Sequence, residues 1–97
     1  MSAEHARVAT IRNRLGLHAR PAAEFVKVAG RFEAEVWVEK DAIEVNGKSI
    51  MGVMMLAAAA GAEIRIRAVG VDGEAAVDAL VELVRSGFGE ELDESLA

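Results

Sequence analysis

Residues 16–21 read Gly-Leu-His-Ala-Arg-Pro and hold the most reactive pairing in the chain, His18 two residues before Arg20. An imidazole can serve as nucleophile, base or metal ligand. An arginine beside it adds a planar cationic fork that matches phosphate oxygens. No acidic residue occurs between Glu4 and Glu24, whereas Arg7, Arg12, Arg14 and Arg20 flank the histidine, so the window is locally cationic. The chain as a whole carries a net charge of −5, which argues against general nucleic-acid binding.

Three chemistries compete for His18. Metal ligation is poorly supported, because His5 is the only other histidine, it reads as tail, and there is no cysteine. A Ser-His-Asp arrangement could be drawn from Ser49 and any of four aspartates, but no nucleophile elbow accompanies it. Phosphoryl transfer fits better if His18 opens a helix, where unpaired N–H groups and the positive dipole end favour an anion. Both cationic features disfavour imidazolium, and a neutral ring is the nucleophile such a transfer needs. A lone histidine at a helix start is equally often structural, and local physics leaves that alternative open.

The elements around His18 follow from periodicity. Residues 6–12 alternate as a first strand, with Ala9 and Ile11 on one face. Ala22, Phe25, Val26 and Ala29 recur at i, i+3, i+4, i+7, which predicts a helix over 19–29 ended by Gly30, with Pro21 in its first turn. That places His18 at or beside the N-cap. Ala34, Val36 and Val38, then Ile43 and Val45, alternate as a hairpin around Lys40-Asp41. Asn46-Gly47 closes it, and Ser49 is a suitable N-cap for a second helix running to Ala60. Residues 63–69 alternate strictly, Ile64, Ile66 and Ala68 against charged neighbours. A third helix starts at Asp72, buries Ala76, Val77, Leu80, Val81 and Val84, and stops at Gly87. The order is βαββαβα. It predicts an α/β (α+β) two-layer, open-faced β-sandwich: a four-stranded antiparallel sheet with three helices on one face.

Two segments stand outside that core. The second helix carries no charge between Ser49 and Ala60, and as one layer on a sheet it cannot be buried all round. Val53 and Leu56 are assigned to the core, and Ile50, Met51 and Met54 to a partner-binding patch, since flexible methionines suit a surface that meets several proteins. Glu90, Glu91, Asp93 and Glu94 cluster after Gly89 and read as a solvated tail. The whole of 1–97 is thus expected to be a single domain with a core at about 6–88 and an acidic tail at 89–97. The opening residues lack a signal-peptide stretch, and the apolar run Ile50–Ala62 is too short to span a bilayer. With no cysteine, the protein is expected to be cytoplasmic, without membrane insertion, metal or cofactor.

Residues 16–26 (GLHARPAAEFV) and 46–56 (NGKSIMGVMML) together resemble the HPr family, the histidine-containing phosphocarriers of the bacterial phosphoenolpyruvate-dependent sugar phosphotransferase system. The likeness spans about residues 6–88. It implies that His18 accepts a phosphoryl group on Nδ1 from enzyme I and passes it to IIA domains of sugar permeases, acting as a carrier rather than an enzyme. Arg20 would contact the phosphate and Pro21 would occupy the first helical turn. Ser49 matches a regulatory serine that an ATP-dependent HPr kinase/phosphorylase modifies in many bacteria, the modified form serving in Gram-positive relatives as corepressor for a catabolite-control transcription factor. Such a carrier is expected to be monomeric. The resemblance also admits a regulatory paralogue, of a nitrogen-related branch or a serine-phosphorylated effector, that does not feed sugar transport. Two departures stand out: Ala19 where many relatives have threonine, and the LAAAAG run at 56–61, which suggests a longer second helix.

Overall fold

The alternation in the strands decides which side of the sheet is covered. In a computed structural model, which describes residues 3–96, Val36, Val38, Ile64, Ile66 and Ala68 are all at most 1% exposed. They lie on β2 (Glu35–Lys40) and β4 (Glu63–Val69), paired so that Val38 faces Ile66 and Val36 faces Ala68. β1 (Glu4–Thr10) adds to the other edge of β4 with Ala9 opposite Ile64, and β3 (Ile43–Asn46) pairs with β2. The sheet is therefore antiparallel with order β1-β4-β2-β3. Its uncovered face carries Arg67, which binds Glu44 and Glu4 and lies 5.6 Å over the Trp37 ring.

Three helices cover the apolar face: α1 (Ala19–Ala29), α2 (Ile50–Met55) and α3 (Gly73–Arg85). Phe25 and Ala22 of α1 and Ala76, Val77, Leu80, Val81 and Val84 of α3 close the core, as their helical spacing requires. The Asp72 carboxylate, at the start of α3, accepts from the N–H groups of Glu33 and Ala34, 2.8 Å each, and so ties the approach to β2 to that helix. Among the described residues no helix is long and apolar enough to cross a membrane.

Three boundaries differ from expectation. β1 begins at Glu4, so His5 belongs to a strand rather than a tail, with its Nδ1 3.8 Å from Glu74. The second helix does not reach Ala60: it ends at Met55, and Ala57 adopts a left-handed φ of 48°. Alanine's helix propensity is overridden there by tertiary bonding, because the reversal lets the Ala58 carbonyl accept from Leu17 N at 2.9 Å. The acidic residues after Gly89 also do not stream into solvent. Arg14 N donates to Glu91 O and Asp93 N to Arg12 O, both 2.9 Å, and Asn13 bridges antiparallel to Leu92. Leu92 lies against Gly87, where a Cβ would collide with its side chain.

Candidate functional site

His18 is presented by a turn held both by local hydrogen bonds and by distant segments of the chain. Asn13 O accepts from Gly16 N at 3.1 Å, and Gly16 O accepts from His18 N at 2.9 Å. Gly16 has φ +69°, and a Cβ there would strike Ala58 O, so only glycine fits this turn without strain. His18 then becomes the N-cap of α1 in an extended conformation, its carbonyl accepting from Ala22 N at 3.0 Å. Pro21 lies buried in the first turn, where its missing N–H leaves no helical bond unmade. Among the described residues no side chain caps this N-terminus, and no acidic residue stands in its first turn. The helix end is therefore free to receive an anion. Arg20 is exposed one residue before Pro21.

The ring itself has a partner that periodicity gave no reason to expect. Nε2 lies 3.0 Å from both carboxylate oxygens of Glu90, 72 residues away in sequence. Glu90 is also bonded by Asn13 Nδ2 at 3.0 Å, and that same amide donates to Gly16 O at 2.7 Å. Asn13 is wholly buried, the one polar side chain in the core among the described residues, and the Glu90 side chain is only 13% exposed against 37% for His18. The Glu90 carboxyl is held below its ordinary 4.5, first by the hydrogen bond from His18 and then by that from Asn13, against the opposing effect of burial. None of the side-chain hydrogen bonds among the described residues engages Nδ1 of His18.

This corrects the reading of the site as purely cationic. A carboxylate stands 3.0 Å from Nε2, beside the cationic features contributed by Arg20 and the helix end. Glu90 had one sequence signal, and it was indirect: Leu92 is a lone apolar residue within an acidic run, the mark of a segment that docks.

The second motif lies alongside. Ser49 is the N-cap of α2, its Oγ accepting from Gly52 N at 3.0 Å. Val53 and Leu56 are buried, at 0% and 5%, as assigned. Ile50, Met51 and Met54 are exposed, Met51 at 76%, and Met55 and Leu15 are comparably open although neither was singled out. The Leu17–Ala58 bond holds the His18 turn against the end of α2. The chemical site and the apolar face thus share one side of the molecule.

Comparison with known proteins identifies the family. Residues 5–86 match the family model described as PTS HPr component phosphorylation site. The phosphocarrier protein HPr of Pseudomonas putida is 52% identical over 86 residues, covering 88% of this chain and 96% of the relative. That of Neisseria meningitidis is 51% identical over 78 residues, covering 80% and 88%. The crystal structure of HPr from Thermoanaerobacter tengcongensis superposes with a TM-score of 0.87 at 50% identity, covering 91% of this chain and 99% of that one. With the family model matched over most of the chain and relatives about half identical, the chain belongs to the HPr family of phosphocarrier proteins of the phosphotransferase system.

Proposed function

We propose that His18 carries the phosphoryl group on Nδ1, receiving it from phosphorylated enzyme I and yielding it to IIA domains of sugar permeases. The observation that carries this reading is the state of the ring: part-exposed at an uncapped helix N-terminus, with Nε2 occupied by Glu90 and Nδ1 unbonded among the described residues. The α1 N-terminus and Arg20 hold the phosphate through a few exposed contacts, each weak enough to release it. The His18 side chain is 37% exposed, which suits a two-way relay.

Leu15, Ile50, Met51, Met54 and Met55 form the surface on which enzyme I and IIA domains dock, carrying their own catalytic groups to His18. Ser49 is a second modification site. A phosphate there adds charge at the α2 N-terminus, which the fold tolerates, and beside an apolar face, which a docking partner does not. An HPr kinase/phosphorylase would set that switch, and a catabolite-control transcription factor could read it.

The test is a two-step relay with labelled phosphoenolpyruvate. Label should pass through enzyme I to the chain and on to a IIA domain, and His18→Ala should stop it before the chain. Label on the chain that no IIA domain removes would instead indicate a regulatory paralogue. Label reaching His18→Ala undiminished would refute the assignment.

A further inference from the structure

Glu90 and Asn13 do something that the phosphocarrier reading alone leaves unassigned. We propose that they are positioning residues that fix the tautomer and orientation of His18, with Glu90 holding the ring proton on Nε2 so that the nucleophilic lone pair lies on Nδ1. The proposal rests on Nδ1 of His18 being the phosphoryl acceptor.

A carboxylate only accepts hydrogen bonds, so the 3.0 Å contacts from Nε2 to both Glu90 oxygens require the proton to sit on Nε2. The carboxylate is itself fixed. Asn13, buried and with both its amide hydrogen bonds spent on Glu90 and on the Gly16 carbonyl, ties Glu90 to the turn that carries His18. On the backbone, Glu90 N donates to Gly87 O and Arg14 N to Glu91 O, each at 2.9 Å, so Glu90 is clamped from both sides. An imidazole pinned at one nitrogen by a supported carboxylate keeps the other nitrogen aimed and unprotonated.

The same contact serves both directions of transfer. The Nδ1 lone pair forms a bond to phosphorus as the N–P bond of a phosphohistidine donor breaks, that electron pair returning to the donor ring. No proton leaves His18. The product is an Nδ1-phosphorylated imidazolium whose Nε2–H remains on Glu90, with the carboxylate at the opposite end of the ring from the phosphoryl oxygens. On release, the cationic ring is the better leaving group, and the neutral Nε2–H tautomer is regenerated.

The experiment is nitrogen NMR of the full-length protein labelled at histidine, at a pH where the ring is uncharged, paired with the kinetics of phosphoryl acceptance from phosphorylated enzyme I. The parent should show one tautomer, protonated at Nε2. Glu90→Ala should give a mixture with a visible Nδ1–H population, and kcat should fall about tenfold, the worth of one such hydrogen bond, with KM within about twofold. Glu90→Gln, whose carbonyl oxygen can still accept from Nε2–H, should restore most of the tautomer and part of the rate. A folded Glu90→Ala protein with an unchanged tautomer overturns the proposal. A parent that takes no phosphate on His18 defeats the carrier reading instead, while the NMR comparison still decides the tautomer.

Discussion

The His18 turn and the exposed face of α2 stand side by side, yet they are built in opposite ways. The turn is over-determined: Gly16, Asn13, Ala58 and Glu90 each fix it through a short hydrogen bond or a contact that admits no added atom. The α2 face is a six-residue helix with one buried residue and a set of open, flexible side chains. A transferring nitrogen has to be placed to within a fraction of an ångström. A surface that meets several partners gains from side chains that can repack. Damage to the turn should therefore appear in the chemical step or in the fold, and damage to α2 in affinity.

Four substitutions sharpen that contrast, beginning with the largest effect. Gly16→Ala combines a left-handed φ with a clash against Ala58 O, and urea unfolding should show a loss of about 3 kcal/mol. A loss below about 1 kcal/mol would mean that the turn is far softer than its geometry implies. On the other region, Met51→Glu should leave stability within about 0.5 kcal/mol. It should raise KM for enzyme I by about tenfold with kcat little changed, a rise equal to one good interface contact. An equal fall in kcat would erase the distinction between the two regions.

Ser49→Asp is predicted to be smaller still. Aspartate caps a helix as well as serine does, so stability in urea should match the parent, while phosphoryl acceptance from enzyme I slows by a few-fold. Matching transfer rates would remove the switch. The smallest effect returns to the turn. Glu90 has its carboxyl lowered from 4.5 chiefly by the His18 hydrogen bond, so its contribution is complete above that value and fades as pH falls through the lowered one. Glu90→Gln should thus cost about 1 kcal/mol near neutrality, and the gap to the parent should close on acidification below 4.5. A gap that stays constant with pH would show that the carboxylate charge does not matter there.

How much of this was legible in the sequence depends on the range of the forces involved. The helical stripe of α1, the strict alternation of β4 and the stripe of α3 are local, and each element formed where its period placed it. His18 at the N-cap followed from the same reasoning. The alanine run misled, because propensity favours helix while the Leu17–Ala58 bond demands a reversal at Ala57. Glu90 was hidden for a different reason. Its partners lie 72 and 77 residues away, and an acidic run near the end of a chain has the composition of a solvated tail. Only closure of the sheet and the docking of Leu92 bring that carboxylate to the ring.

The central claim is that phosphate travels on His18. Mass spectrometry of the full-length protein after incubation with phosphoenolpyruvate and enzyme I should find one acid-labile phosphate, in the peptide that holds His18 and absent from His18→Ala. A phosphate located elsewhere, or none under conditions in which enzyme I itself is phosphorylated, would contradict the account.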